Sequence, residues 1–341
     1  MNSPIRISLD AMGGDHGLSV VVPAALEALK KHDDIILTLV GDESQVLAKL
    51  AEHKAQPHER LLVHHASQIV EMGEPPAQAL RNKKDSSMRV AINLVKEKKV
   101  DAMVSAGNTG ALMATARFVL KMLPGVDRPA ICTFMPTSNG HTHILDLGAN
   151  VDCKAEHLYQ FAVMGAILAE SIDNNGASKV GLLNVGQEAI KGNEQVKQTD
   201  VLLKDSHLNY IGYVEGDDIF HGDVDVVVCD GFVGNVTLKT VEGLAKMLTQ
   251  ELKAEYKKGL FSKIAALVSM PVLKSFANRF DPRLYNGASF LGLQGTVIKS
   301  HGGMDCFGYA NAISIARSEA LSNVPQTIKQ ELEKMLVNAD K

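Results

Sequence analysis

Residues Ile5–Gly17 read IRISLDAMGGDHG: an apolar, β-rich run ends in a loop of Gly and Asp, and a helical pattern follows. The same plan recurs later in the chain. The other versions are DAMVSAGNTG (Asp101–Gly110), HILDLGANVD (His143–Asp152), VGLLNVGQEAIKGNE (Val180–Glu194), VDVVVCDGFVGN (Val224–Asn235) and VIKSHGGMDCFG (Val297–Gly308). The alternation of strand and helix patterns predicts an α/β fold, with a mostly parallel sheet and flanking helices.

The glycine-rich loops indicate where a ligand binds. In an open parallel α/β sheet, ligands bind at the carboxyl ends of the strands, where such loops lie. Glycine lets the backbone approach a ligand closely, and the helix N-terminus behind the loop attracts anions. We therefore predict that the six loops assemble one anion-binding site from distant parts of the chain.

Further patterns complete the α/β reading. Ile35–Val40 predicts a strand, and a helix is expected to start within Gly41-Asp42-Glu43, which follows it. Further helices are predicted over Ser86–Lys98, Lys154–Ile172, Gln187–Leu203, Phe307–Ser322 and Pro325–Val337. No Ser-, Gly- or Pro-rich linker divides the chain, so residues 1–341 are predicted to form one two-lobed catalytic unit.

Composition excludes several classes of protein. The chain has 341 residues, of which 45% are hydrophobic and 22% charged, as in a soluble globular protein. It has a net charge of −4, no Trp and 5% aromatic residues, which argues against nucleic-acid binding. The cysteines lie far apart, which argues against a structural zinc site or a disulfide framework. No signal peptide is recognisable, and a cytoplasmic location is expected.

Known cofactor motifs are missing from the loops. None matches a Walker A sequence or G-x-G-x-x-G with a suitably placed acid, so no cofactor is predicted. No metal is predicted either, because the carboxylates and imidazole of the first loop match no metal-ligand spacing. His141 and His143 alternate on a strand and are read as structural residues on one face.

One region, residues 237–285, departs from the α/β pattern. It begins with an apolar helical stripe formed by Val241, Leu244, Ala245, Leu248, Leu252 and Tyr256. Ile264–Leu273 then carries no charge and lies between Lys263 and Lys274. An apolar segment flanked by bases is typical of a helix that lies in a membrane interface. A dimer interface, or a core helix with a solvated face, explains the same pattern.

Two loops carry the charges best suited to chemistry. Glu188 and Lys191 are expected to share one face of a helical first turn, where the lysine can pair with a bound phosphate. The alternative is an ordinary surface ion pair. Asp230 directly follows the buried run Val224–Cys229, which suits a general base or a substrate-orienting carboxylate. The alternative for Asp230 is a helix cap.

Taken together, the loops resemble signatures of the bacterial phosphate acyltransferase family of phospholipid synthesis, the PlsX proteins. The matching motifs span Leu9 to about Ala316 in the family's order. They are LDAMGGDHG, SAGNTGA, LDLGANVDCK, LLNVGQEAIKGNE, CDGFVGN and SHGGMDCFG. The resemblance implies a fold of the isocitrate/isopropylmalate dehydrogenase type, related to phosphotransacetylases, with a protruding helical tip.

The resemblance also implies an activity and partners. The family moves a long-chain fatty acyl group from acyl carrier protein to inorganic phosphate. A membrane acyltransferase then uses the acyl phosphate on glycerol 3-phosphate. The resemblance implies homodimers that are peripheral at the inner face of the cell membrane. Residues 237–285 are the predicted helical tip for dimer and membrane contact, and the family's tip matches Leu252–Phe280.

Site residues follow from the matching loops. Lys191 and Asp230 are the predicted catalytic residues. Predicted substrate contacts are Asp10, Gly13, Gly14, Asp15, His16, Asn108, Thr109, Asn184, Gly186, Glu188, Gly231 and Asn235. Predicted membrane contacts are Leu260, Phe261, Ile264, Leu267, Val268 and Leu273.

Three other functions are kept as alternatives. A soluble phosphotransacetylase that uses short acyl-CoA needs the same phosphate chemistry but no apolar tip. A non-catalytic, membrane-associated scaffold keeps the fold without the reaction. A metal- and NAD-dependent dehydrogenase fits less well, since the loops lack a carboxylate cluster for the metal and an acid for the ribose.

Overall fold

A computed structural model describes residues 3–173 and 176–339, with side chains as far as Lys334. Its strands are β1 (Ile5–Asp10), β2 (Ile35–Gly41), β3 (Leu61–His65), β4 (Ala102–Ser105), β5 (Ala130–Thr137), β6 (Gly140–Leu145), β7 (Val180–Leu183), β8 (Tyr210–Val214), β9 (Val226–Val228), β10 (Ala288–Leu291) and β11 (Thr296–Lys299). Its helices are α1 (Leu18–Lys31), α2 (Glu43–Glu52), α3 (Pro76–Asn82), α4 (Ser87–Lys96), α5 (Thr109–Leu120), α6 (Ala155–Asp173), α7 (Glu194–Lys204), α8 (Gly231–Lys257), α9 (Leu260–Arg279), α10 (Cys306–Leu321) and α11 (Val324–Ala339).

The described strands form one sheet in the order β3-β2-β1-β4-β11-β10-β5-β6-β9-β7-β8. Strands β3, β2, β1, β4 and β11 pair in parallel and are called the first half-sheet. Strands β6, β9, β7 and β8 also pair in parallel and are called the second half-sheet. The links between the half-sheets, β11–β10, β10–β5 and β5–β6, are antiparallel. The mostly parallel sheet is confirmed, but the two half-sheets run in opposite directions.

Helices cover the sheet because its strands are apolar on both faces. The first half-sheet packs against α1 and α10 through a buried cluster that includes Leu9, Ile298 and Tyr309. The second packs against α6, whose residues Leu158–Ala169 are almost all buried. Strands buried on both faces read as continuous apolar runs, which is the pattern of the sequence.

Most predicted helices are confirmed, and their start signals work as caps. Asp42 accepts a hydrogen bond from the N–H of Gln45, and Ser86 from that of Arg89, so each holds the first turn of its helix. The helix predicted from Gln187 is wrong at its start, because α7 begins only at Glu194. Asn193 caps α7 through the N–H of Val196.

The later start of α7 changes the geometry expected for Lys191. Residues 187–192 form an irregular loop, in which the N–H of Lys191 donates to the carbonyl of Glu188 at 2.9 Å. Gly192 has a φ of 89°, a left-handed conformation that ends any helical run before it. Glu188 and Lys191 therefore do not share a helical first turn.

Helices α8 and α9 form a helical hairpin, in which α9 packs mainly against α8. Tyr256 and Ser269 join the two helices through their hydroxyls, 3.2 Å apart. No residue of α9 is buried. By length and composition, Leu260–Tyr285 is apolar enough to cross a membrane, and none of it is buried inside the structure.

Helix α8 enters the fold through a close contact at Gly234. A Cβ placed there would lie 2.0 Å from the carbonyl oxygen of Asp146. We expect Gly234→Ala to lower the free energy of unfolding by about 3 kcal/mol, because the backbone must move apart to admit a methyl group. Urea unfolding measures this change.

Gly243→Ala in the same helix is the matched control. Nothing lies within 4 Å of a Cβ at Gly243, and alanine favours the helix by about 1 kcal/mol over glycine. The control is expected to be neutral or stabilising. Equal stability of Gly234→Ala and the wild type would contradict the close packing at the α8 N-terminus.

Candidate active site

A cavity of about 800 Å³ lies between the two half-sheets. Four of the six glycine-rich loops contribute to its wall. Their lining residues are Thr109 and Gly110 after β4, Leu147–Asn150 after β6, Asn235 after β9, and His301 and Met304 after β11. The predicted meeting of distant loops is therefore confirmed for these four, and the volume is in the usual range of small-molecule sites.

The first loop supports the wall without lining it. The carboxylate of Asp10 is buried and accepts hydrogen bonds from Ser87 Oγ and Ser105 Oγ, each at 2.6 Å. Burial raises the pKa of Asp10, and these hydrogen bonds oppose the rise. The N–H of Asp15 donates to the carbonyl of Gly302 at 2.9 Å, which ties the first loop to the loop after β11.

The glycine pair and His16 of this loop also lie outside the cavity lining. Gly13 packs so tightly that a Cβ would lie 2.4 Å from Asp10 Oδ2, and Gly14 has a φ of 89°. His16 is exposed. The close packing accounts for the glycines structurally, and their predicted contact with substrate stays a prediction.

The N-terminus of α5 opens onto the cavity. Asn108 caps this helix by accepting the N–H of Ala111 at 2.9 Å. Its amide also donates to the carbonyls of Met72 at 2.7 Å and Glu74 at 3.0 Å. Asn108 is thereby committed to holding the loop, whereas Thr109 and Gly110 line the cavity at the positive end of the helix.

The loop after β6 is organised by Asp146, which sequence analysis did not single out. The side chain is fully buried and accepts N–H bonds from Ile131, Ala149 and Asn150 at 2.9, 3.1 and 2.7 Å. Burial raises the pKa of this carboxyl, and the N–H donors work against the rise. The carbonyl of Asn150 accepts the N–H of Gly231 at 2.8 Å. This contact joins the loops after β6 and β9.

Asp230 caps α8. Its Oδ1 accepts the N–H groups of Phe232 at 2.9 Å and Val233 at 3.0 Å. The helix-cap alternative is therefore realised in the structure. One carboxylate oxygen can make this cap while the other meets a ligand, so a catalytic role stays a prediction. Asp230 is not among the residues that line the cavity.

Lys191 lies in an exposed loop that does not line the cavity. Asn184 shapes this loop: its amide donates to the carbonyl of Gly186 at 3.0 Å, and it packs against Gly192. Gln195, just beyond the loop, donates from Nε2 to the carbonyl of Cys153 at 2.9 Å. The Lys191 loop is thus tethered to the segment after β6, part of which lines the cavity.

Lys299 is a second residue of the site that sequence analysis did not single out. It is 8% exposed at the end of β11 and lines the cavity. Its Nζ donates to the carbonyls of Ala106, at 3.2 Å, and Ser300. Burial lowers the pKa of Lys299 to about 8, partly offset by the charges of Asp10 and Asp15. The available signal was a lysine directly after the apolar pair Val297 and Ile298, at the start of a glycine-rich loop.

A hydrogen-bonded asparagine fixes the loop after Lys299. Asn286 is buried, and its amide donates to Ser300 Oγ at 2.9 Å and to the carbonyl of Gly308 at 2.8 Å. Its Oδ1 accepts the N–H of His301 at 2.9 Å. The wall around Lys299 is therefore held in place before any ligand binds.

His141 and His143 share one face of β6, as predicted, and both rings pack against Phe134 of β5. Both Nε2 atoms hydrogen-bond to the carboxylate of Asp173, at 3.2 and 2.9 Å. Burial lowers the pKa of His143, and Asp173 opposes the shift. These three groups are close enough to hold a metal ion together. The present distances are those of hydrogen bonds that fasten the end of α6 to β6.

The sequence of the chain matches a known protein family and several named relatives. The family described as "Fatty acid synthesis protein" matches residues 5–327. The phosphate acyltransferase of Alkalilimnicola ehrlichii is 59% identical over 336 residues, 98% of each chain. That of Methylococcus capsulatus is 59% identical over 326 residues, 96% of each chain.

Solved structures share the fold at low identity. A phosphotransacetylase from Streptococcus pyogenes superposes with a TM-score of 0.64 at 18% identity, over 93% of this chain and 94% of that chain. The EutD phosphotransacetylase from Staphylococcus aureus gives 0.62 at 16% identity, over 93% and 94%. These likenesses confirm the predicted fold type. From its sequence matches, the chain belongs to the fatty acid synthesis protein family, together with relatives named phosphate acyltransferase.

Proposed function

We propose that this protein is a phosphate acyltransferase that moves a long-chain fatty acyl group from acyl carrier protein to inorganic phosphate. The observation that carries the proposal is the 59% identity to a phosphate acyltransferase over 98% of both chains. The cavity supports it, because polar loops and a buried lysine face apolar walls such as Met113, Ile131 and Leu238. Such a site suits a phosphate beside an acyl thioester.

The proposed reaction needs no enzyme-bound acyl group. A phosphate oxygen attacks the thioester carbonyl, the tetrahedral intermediate collapses, and the carrier thiolate leaves and takes up a proton. The protein has to orient the phosphate and stabilise the oxyanion. In this proposal, Asp230 orients phosphate or accepts its proton, and Lys191 offsets negative charge. A free carboxylate beside a phosphate dianion would repel it, so Asp230 acts with a cation or with protonated phosphate.

The remaining predicted contacts divide by position. Thr109 and Asn235 line the cavity and are proposed to touch phosphate or the thioester. Gly231 packs against Asn150, and Asn184 and Gly186 shape the Lys191 loop, so their proposed role is to position the charged residues. Glu188 is an exposed neighbour of Lys191.

The α8–α9 hairpin is proposed to contact the membrane and a second copy of the chain. Phe261, Leu267 and Val268 are 89%, 74% and 77% exposed, which a helix in water alone does not favour. The base of the hairpin, at Phe280 and Pro282, lines the same cavity as the polar loops. A long-chain acyl phosphate released there can enter the inner face of the cell membrane, where a glycerol-3-phosphate acyltransferase consumes it.

Direct detection of acyl phosphate tests the function. The purified protein, given palmitoyl acyl carrier protein and inorganic phosphate, is expected to form a product that hydroxylamine traps as a hydroxamate. A series of acyl-CoA and acyl carrier protein donors from two to eighteen carbons then identifies the substrate. Faster turnover of acetyl-CoA would support a soluble phosphotransacetylase, and no product from any donor would support a scaffold.

A further inference from the structure

We propose that Lys299 holds the inorganic phosphate, at a subsite where the loop after β11 meets the N-terminus of α5. This inference rests on the proposed function and adds the place where the nucleophile binds. The residues that form the subsite are Lys299, Thr109 and Gly110, all of which line the cavity.

The charges on the cavity wall single out Lys299. Among the described lining residues, the cations besides histidine are Arg117, Lys239 and Lys299. Lys239 is neutralised by Glu242, 2.8 Å away. Arg117 is exposed to solvent. Lys299 is buried, and among the described side chains it has no carboxylate within salt-bridge distance.

A buried ammonium is costly when no carboxylate contacts it directly, and the charges of Asp10 and Asp15 offset this cost only in part. An anion in the cavity would offset it further. Its two hydrogen bonds go to neutral carbonyls, of Ala106 and Ser300. An ammonium has three donors, so one remains for a ligand. The two carbonyls fix the direction of the ammonium group, and Asn286 holds the loop that carries one of them, that of Ser300.

The start of α5 supplies the second half of the subsite. Helix α5 is 12 residues long, and Asn108 caps it by accepting the N–H of Ala111. The N–H groups of Thr109 and Gly110 lie at the first two helical positions, which have no partner within the helix. A cation and the N-terminus of a helix that line one cavity together suit the binding of a phosphate.

The kinetic test separates phosphate from acyl donor. In Lys299→Met, we expect the KM for inorganic phosphate to rise at least about tenfold, the loss of one charge-assisted hydrogen bond. The KM for the acyl carrier protein donor should stay within about twofold. Lys30→Met, an exposed lysine on α1, is the matched control and should behave like the wild type.

The pH dependence of the KM for phosphate distinguishes a charge contact from a purely structural role of Lys299. The free Lys299 has a pKa of about 8, so it is cationic below this pH and loses its charge above it. The charged groups that act on it are Asp10 and Asp15, and the neighbouring His301, whose pKa burial lowers from its ordinary value, is neutral over this range. The wild-type KM for phosphate should therefore rise towards tenfold per pH unit above about 8. Lys299→Arg should remove this rise, because a guanidinium stays charged. If the Lys299→Arg variant does not fold, the test rests on Lys299→Met, in which the KM for phosphate should rise and the KM for the acyl donor should not.

Several outcomes would overturn the subsite. They are an unchanged phosphate KM in folded Lys299→Met, a rise confined to the acyl-donor KM, or the wild-type pH rise in Lys299→Arg. The acyl-donor result would assign Lys299 to the phosphodiester of the carrier's prosthetic group instead. If the wild type makes no acyl phosphate, the proposed function fails separately. Calorimetric titration of inorganic phosphate into wild type and Lys299→Met then tests the subsite without catalysis.

Discussion

Asp230→Asn is expected to lower the rate of acyl-phosphate formation about a thousandfold and to leave the fold intact. The size is that of losing a positioned acid–base group. The structure makes this substitution informative, because Asp230 also caps α8 through Oδ1. Asparagine caps a helix as well as aspartate does, so the free energy of unfolding should change by less than about 0.5 kcal/mol. Hydroxamate trapping at saturating phosphate measures the rate.

Asp230→Ala is the companion variant, because it removes the cap as well as the charge. It should lose about 1 kcal/mol of stability in addition to the activity. Lys191→Ala, in an exposed loop, should lower the rate with no loss of stability. If Asp230→Asn and Lys191→Ala both keep near-normal rates in a folded protein, these residues are structural, and the chemistry belongs to the cavity wall.

Leu267→Asp combined with Val268→Asp is expected to abolish binding to lipid vesicles. Burial of each side chain in the membrane interface contributes about 1.5–3 kcal/mol, so losing both weakens binding at least a hundredfold. Because the two residues are 74% and 77% exposed, the substitution should not disturb the fold. Co-sedimentation with vesicles containing an anionic lipid measures the binding. Turnover of a soluble short-chain donor should be unchanged.

A matched double variant on the body of the protein separates apolar insertion from net charge. Val201 on α7 and Ile211 on β8 are 58% and 45% exposed. Val201→Asp with Ile211→Asp adds the same two negative charges away from the hairpin and should keep vesicle binding. Equal binding by both double variants would rule out the hairpin as the membrane contact.

Patterns local in sequence predicted much of this fold. Each of the six loops follows a strand, and helices begin near Asp42 and Ser86 as predicted. The structure adds that both side chains cap those helices. The reversal between the half-sheets could not be predicted, because it depends on β10 pairing with both β5 and β11. Nothing in the sequence of β10 specifies that it pairs with β5, which lies far away in the chain. The predicted helix start at Gln187 was wrong for two reasons. Gly192 has a left-handed φ, which no helix can contain, and Asn193 caps a helix that begins only after it.

Predictions for the site followed the same division. Glycine and Asn mark loops, so the loops of Thr109 and Asn235, which line the cavity, could be recognised from the sequence. Asp146 and Lys299 could not, since their importance comes from burial and from hydrogen bonds that no local pattern indicates, to Ile131 for Asp146 and to Ala106 for Lys299. Lys191 and Asp230 stand out by charge in the sequence. Only the structure shows that one is exposed and the other caps a helix.

The position of β11 between β4 and β10 has a consequence for how the chain folds. Val297 pairs with Met103, and α10 packs on α1, so the N-terminal half cannot complete its core until residues near the C-terminus leave the ribosome. Until then the edge of β4 is exposed and able to pair with other chains. Contacts so distant in sequence slow folding, and premature termination before Thr296 should produce an aggregation-prone fragment instead of a folded lobe.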